Sequence, residues 1–361
     1  MIISIDCRWI DSSGIGVYLR ESLPFFFNSS HSFILFGNRK KILEIASKRK
    51  NIEIIDCHVK PFSVTELFFF PKKILKKINS SDLYYSPYFN IPGNIKIPVY
   101  TTIHDIIFPD MPELTSWIGL KARMWFYNRA FTHSKSIFTV SEFSKSRIEH
   151  YSKGKINVVV THSAIQPHLL QRNNSFPIKR NIILFIGNIK KHKGLSVLLK
   201  AFYNARKEGL EYDLVIAGNR ENLRSCDTDI SDSDRDCVQY TGFLPDEKLK
   251  ELLAEASLLV QPSLYEGFCL PPLEAMVSGT SVLISDIPVL REIYSEYPKK
   301  ILGQEFPVNW FRAGDSNDLK NKLLELLHNK KPMEIRFAPE FKKIYTFEKT
   351  ASTILKYLEK N

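Results

Sequence analysis

At 361 residues the chain is longer than one hydrophobic core usually supports, so two domains are expected. Its 44% hydrophobic and 25% charged residues exclude a disordered chain, and no stretch approaches the roughly 20 apolar residues that cross a bilayer. The net charge of +11 is lopsided, with 23 Lys and Arg against 13 Asp and Glu through residue 177 and 27 against 26 beyond it.

A basic amino-terminal half suits an anionic partner, either nucleic acid or an acidic membrane face. No zinc finger, RNA-binding signature or recognition helix accompanies the charge, so nucleic acid is not expected. The five cysteines, Cys7, Cys57, Cys226, Cys237 and Cys269, are scattered and lack ligand or disulfide spacing. A reducing cytoplasm is the expected setting. The opening MIISIDC reads as a buried strand rather than a secretion signal.

In chain order, apolar runs alternate with longer helical patterns. The first series is Ile2 to Ile5, Phe33 to Phe36, Ile52 to Ile55, Leu83 to Tyr85, Pro98 to Ile103, Ile137 to Val140 and Val158 to Val160. Runs apolar on both faces and separated in this way predict a parallel α/β sheet. The polar, proline-bearing stretch Gln166 to Asn181 reads as a linker. A second series follows at Ile182 to Ile186, Leu214 to Ile216, Val238 to Tyr240, Leu258 to Val260 and Val282 to Ile284. The expected architecture is therefore two doubly wound domains, residues 1–172 and 173–340, with a terminal helical segment over 341–361. The Asp-rich run Cys226 to Asp236 does not follow the order of a calcium loop and reads as a solvated loop.

Four stretches carry candidate chemistry. The loop SSGIGVYLRESL follows the first strand, where Gly14 and Gly16 permit close backbone approach to a ligand. TTIHDIIFPDMPE places His104 and Asp105 at a strand end, and Ser141 is a candidate helix cap before Glu142. FIGNIKKHKGLSVLLKAF sets Asn188, Lys190, Lys191, His192 and Lys193 between a strand and an amphipathic helix, an arrangement that presents cations to a phosphate. Last, QPSLYEGFCLPPLEAMVSGTSV holds Glu266 in a loop after a strand, and Glu274 in a helix that starts near Pro271. Parallel sheets bind ligands outside the carboxyl ends of their strands. Two hydroxyl-accepting carboxylates beside a phosphate site point to a ligand of sugar and phosphate.

The run from Glu266 to Glu274, within P-S-x-x-E-G-F-x-L-P-x-x-E-A-M-x-x-G, resembles the donor site of the retaining family 4 glycosyltransferases. The likeness extends from the GIG loop to FEKTA (Phe347 to Ala351). It implies the GT-B fold, with two Rossmann-like domains facing a cleft and a last helix returning to the first domain. It further implies that Glu266 and the amides of Phe268 and Cys269 hold sugar hydroxyls, that Glu274 binds the ribose diol, and that Lys193 meets the diphosphate. Gly14, Gly16, Asn188, Gly267 and Leu270 complete the donor site, and His104 lies beside the transferred sugar and the acceptor. Catalytic roles fall by the same likeness to Glu266, Lys193 and His104. Two departures stand out: Asn188 occupies a position where relatives often carry Arg, and Cys269 one where they more often carry Gly. No resident metal or cofactor is expected.

The GN-x-K-x-H-K and T-x-H-D elements are similar to those of bacterial mannosyltransferases of surface polysaccharide assembly. GDP-mannose is thus the favoured donor, with UDP-hexoses and dTDP-rhamnose open, and a lipid-linked or saccharide acceptor is expected. A nucleotide-sugar epimerase of the same fold and a non-catalytic subunit of a membrane complex are the rival readings. Base recognition is expected from loops such as Gly218 to Asn222 and Gly242 to Leu244. Phe68, Phe69 and Phe70, followed by Lys72, Lys73, Lys76 and Lys77, form a candidate contact with the inner membrane face, to which Pro24 to Phe27 could add. The alternative is a helix packed by its phenylalanines with its lysines in water.

Overall fold

The structure, a computed structural model, describes residues 1–12, 14–46, 49, 51–170, 178–218, 236–328, 341 and 343–360. The chain divides into two compact units, Met1–Gln166 with Tyr345–Asn361 and Pro167–Ile344. Each is built on one parallel sheet.

The first unit carries β1 (Ile2–Cys7), β2 (Ser32–Gly37), β3 (Ile52–Asp56), β4 (Leu83–Ser86), β5 (Val99–Thr102), β6 (Ser134–Thr139) and β7 (Asn157–Val160) in the order β3-β2-β1-β4-β5-β6-β7. All seven expected runs are strands. Successive strands run outward from β1 to β3 and then, from β4, outward the other way. The reversal lies between β1 and β4, and such a switch point opens a crevice at the carboxyl ends of the two strands.

The terminal helix Phe347–Glu359 packs on the first helix, Gly14–Phe26, in this unit, with the Phe347 ring 6.4 Å from that of Tyr18. Its buried face is Phe347, Thr350, Ala351, Ile354 and Leu358, spaced as one side of a helix requires. His31 Nε2 pairs with Glu359 at 2.9 Å near its end.

The second unit carries β8 (Arg180–Ile186), β9 (Asp213–Ala217), β10 (Val238–Gly242), β11 (Ala256–Gln261), β12 (Ser281–Asp286) and β13 (Asn309–Arg312) in the order β10-β9-β8-β11-β12-β13. Here the switch point lies between β8 and β11. Its core gathers Ile183, Phe185, Leu198, Phe202, Leu258 and Val260, all buried. β13 is an addition to the expected strands.

At the amino ends of these strands, partly buried Lys179 donates to the Ala254 carbonyl and the Thr280 hydroxyl at 2.7 and 2.6 Å. Among the described residues no helix is long and apolar enough to cross a membrane.

Candidate functional site

In the second unit the loops after β8 and β11 flank the switch point, and they bring Lys193 and Glu266 together. Lys193 Nζ lies 2.7 and 2.8 Å from the two carboxylate oxygens of Glu266. The carboxylate is only 8% exposed and the lysine side chain 20%, so the lysine is the more accessible half of the pair.

Ser263 supports the carboxylate from beneath: its hydroxyl donates to Glu266 Oε1 at 2.6 Å and accepts from Gln261 Nε2 at 2.8 Å. Burial opposes ionisation of Glu266, but Lys193 and Ser263 outweigh it and hold the carboxyl below its ordinary range. Glu266 is therefore an anion at neutral pH.

Backbone contacts join the two loops. The Leu264 amide donates to the His192 carbonyl at 2.7 Å. Gly194 turns the chain into the helix Leu195–Lys207 with φ +69°, and a β-carbon there would stand 1.9 Å from the Pro262 carbonyl oxygen. Left-handed backbone and van der Waals crowding both demand glycine. Gly194→Ala is therefore expected to cost at least about 1–3 kcal/mol of stability and to part Lys193 from Glu266. Thermal unfolding together with donor affinity checks this, and a variant unchanged in both would contradict it.

The helix Pro271–Val277 follows, with Glu274 buried in its first turn. Gly267, Phe268 and Cys269 are buried between the two acids, and Leu270 is partly buried. The charges of Glu266 and Glu274 both act on the Cys269 thiol, which burial in the first place pushes well above the usual range. Asn188, Lys190 and Lys191 are exposed. His192 is held at about 4 by burial and then by Lys193, so it is neutral near pH 7 and is not one of the cations of this loop.

The other sequence-derived candidates lie in the first unit. Gly16 is sterically required, since a β-carbon would meet the Ile10 carbonyl oxygen at 2.7 Å; Gly14 has open space around it. His104 follows β5, its Nε2 2.9 Å from the Pro87 carbonyl oxygen. A carbonyl only accepts, so this bond assigns the proton to Nε2 and leaves Nδ1 as an acceptor. Burial holds the ring's pKa at about 4, against the opposing effect of the Pro87 bond. Ser141 caps the helix Glu142–Ser152 by accepting from the Ser144 amide.

A charged network beneath the crevice of the first unit has no counterpart in the sequence motifs. Arg8 Nη2 lies 2.6 Å from both Asp6 and Glu66, whose side chains are fully buried. Asn90 Nδ2 donates to the same two carboxylates at 3.0 and 2.9 Å. Burial raises the pKa of Glu66 against the pull of Arg8, and the charge on Asp6 adds to the rise. Asn90 Oδ1 in turn accepts from Trp9 Nε1 at 2.6 Å. Rings from separate loops collect above: Trp9 lies 4.9 Å from Tyr88 and 5.9 Å from Phe62, and Tyr88 lies 6.3 Å from His104.

The aromatic patch differs from expectation. Phe68 and Phe69 are 67% and 73% exposed, whereas Phe70 is buried, 6.4 Å from Phe36 and under the Arg8 guanidinium. Phe70 falls between two short helices, Val64–Phe68 and Lys72–Ile78, where the chain turns inward. Phe26 and Phe27 are buried as well, so they add nothing to the patch. Lys72, Lys73, Lys76 and Lys77 are exposed, with Lys77 paired to Glu53 at 2.9 Å. The helix Trp117–His133 adds exposed Trp117, Ile118 and Trp125. Asn219 to Asn222 of the base-recognition loop, the Asp-rich run from Cys226 to Arg235 and the linker residues 171–177 lie outside the described residues.

Residues 169–342 match the family described as Glycosyl transferases group 1. The O-antigen chain mannosyltransferase B of Escherichia coli is 29% identical over 233 residues, 59% of this chain and 59% of that protein. The O-antigen chain mannosyltransferase RfbU of Salmonella typhimurium is 30% identical over 200 residues, 53% of each chain. These matches therefore span somewhat more than half the length of the relatives. Among solved structures, Anabaena HepE in complex with UDP and glucose superposes with a TM-score of 0.73 at 15% identity over the whole of both chains. Sucrose-phosphate synthase from Thermosynechococcus elongatus gives 0.71 at 15% identity, covering 100% of this chain and 98% of that one. Both likenesses show a GT-B fold.

Proposed function

We propose that this chain, whose residues 169–342 are a glycosyl transferases group 1 domain, is a retaining hexosyltransferase. In this reading it moves mannose, from GDP-mannose by preference, to a lipid-linked or saccharide acceptor in surface polysaccharide assembly. The observation that carries the reading is the Lys193–Glu266 pair at the switch point of the second unit. The mannosyltransferase relatives support the choice of sugar.

When the bond to the diphosphate breaks, negative charge grows on the leaving oxygens. Prearranged cations and amides lower that barrier most. Lys193 has the exposure and the charge for this role, and the buried carboxylate of Glu266 is an acceptor for hydroxyls of the sugar. Glu274 takes the ribose diol. Retention places the acceptor on the face the diphosphate leaves, with the departing phosphate oxygen accepting the acceptor's proton. In the first unit, the Nδ1 lone pair of neutral His104 is an acceptor for a hydroxyl of the acceptor substrate. No step in this scheme requires a metal ion, so turnover should persist in chelator.

Acceptor binding is assigned to the first unit, where Trp9, Tyr88 and His104 gather at the strand ends. Exposed Phe68, Phe69, Trp117, Ile118 and Trp125, with Lys72, Lys73 and Lys76, fit a protein resting on the anionic inner face of the cell membrane. In this assignment the enzyme is cytoplasmic and peripheral.

Purified protein incubated with a panel of nucleotide sugars, with and without membrane lipid extract, tests the reading through nucleoside diphosphate release. Release from GDP-mannose, raised by lipid, together with sedimentation on phosphatidylglycerol vesicles, is expected. Donor turnover without nucleotide release would favour an epimerase, and failure to bind any nucleotide sugar would overturn the proposal.

A further inference from the structure

On the reading of the Glu266 loop as the donor-sugar site, we propose that Tyr294 is a positioning residue that holds the loop's amides through the Cys269 carbonyl and so sets affinity for the sugar part of the donor. The argument begins at Cys269, which adopts φ +77°. Side chains disfavour that region, and glycine is its usual occupant. The residue is buried, and burial first, then the charge of Glu266 beside it, pushes its thiol well above the usual range, so the thiol stays protonated.

Something must hold a cysteine there. The Tyr294 hydroxyl donates to the Cys269 carbonyl oxygen at 2.5 Å. Tyr294 is itself fully buried on a π-helical turn, Glu292–Glu296, a wide turn that often accompanies functional sites. Its carbonyl accepts from the Phe306 amide at 3.0 Å, and its ring lies 6.0 Å from that of Phe306. The anchor is therefore fixed from its far side.

The consequence follows from peptide geometry. A trans peptide points its carbonyl and its N–H in opposite directions, so anchoring the Cys269 carbonyl directs the Leu270 N–H away from Tyr294. Pro271 and Pro272 have no N–H, so the Leu270 N–H is the last amide of this stretch before the helix. Tyr294 fixes that peptide, three residues from the Glu266 carboxylate.

Titration calorimetry on the full chain tests the inference, with GDP-mannose against GDP and UDP-glucose against UDP. For the pair that the unmodified chain binds, Tyr294→Phe should leave nucleotide affinity in place and lower sugar-nucleotide affinity about fivefold or more, the effect of one lost neutral hydrogen bond. Adding Cys269→Gly to Tyr294→Phe should restore most of the loss, because glycine holds the left-handed turn unaided. Cys269→Val, with Tyr294 intact, should lower the same ratio, because a branched side chain resists that turn; this variant decides the matter if Tyr294→Phe does not fold. An unchanged ratio, or parallel weakening of sugar nucleotide and nucleotide, would overturn the positioning role. An unmodified chain that binds neither pair would overturn the donor-site reading, and this inference with it.

Discussion

Lys193→Met and Glu266→Gln are each expected to lower nucleoside diphosphate release at least tenfold, while differing in their effect on stability. Hydrogen bonds to charged groups are worth roughly 1.5–3 kcal/mol, and each variant removes one such group from the donor. Structurally the two are unequal. Lys193→Met leaves a buried carboxylate without its cation, which costs about 3–5 kcal/mol when a buried pair is broken from one side. The carboxyl of Glu266 should then rise out of its depressed range, because the opposing effect of burial would prevail. Glu266→Gln instead leaves an ammonium with 20% of its side chain exposed and able to reach water, so a smaller loss of stability is expected. The double variant should be less impaired in stability than the two single losses combined, as befits partners in direct contact. Thermal unfolding and turnover measured on the same preparations separate the two effects. Folded single variants with near-normal turnover would contradict the assignment.

Stability should also fall steeply as pH drops from about 6.5 toward 4. His104, His162 and His192 are each lowered from 6.5 to about 4, in every case chiefly by burial. In that window the unfolded chain binds protons that the folded chain refuses, so stability rises with pH and is lost on acidification. Each histidine contributes up to about 1.4 kcal/mol per pH unit, less whatever solvent screens at its partly exposed face. Glu266, whose folded pKa is depressed, adds a further loss below its unfolded value of 4.5. Denaturant unfolding at several pH values should show the slope, and His104→Gln should reduce it. A stability profile that is flat between pH 6.5 and 4.5 would contradict these environments.

What could be read from the sequence follows from the distance over which each signal acts. The strands were legible because a parallel strand buried on both faces needs a continuous apolar run, and Ile2 to Ile5 or Ile182 to Ile186 could hardly be anything else. β13 escaped because it is short and its pattern NWFR buries only Phe311 fully. In the site, Glu266, Glu274 and Lys193 stood out through the family resemblance of the motifs around them, which spacing alone would not have singled out. The role of Gly194 did not, because the Pro262 carbonyl that forbids a side chain there lies 68 positions along the chain. The network of Asp6, Arg8, Glu66 and Asn90 was hidden for the same reason, its partners being separated by up to 84 positions. Phe68, Phe69 and Phe70 looked equivalent as a run, yet the helix end after Phe68 turns Phe70 into the core and leaves the other two in water. The Tyr294 anchor is a single tyrosine that no local pattern distinguishes.

The most direct test of the donor-site account is transfer itself. GDP-mannose radiolabelled in the sugar is incubated with the protein and membrane lipids, the lipids are extracted into organic solvent, and their label is counted for the unmodified chain and for Glu266→Gln. The account predicts lipid-borne label with the unmodified chain and at least tenfold less with the folded variant. Equal transfer by both would contradict it.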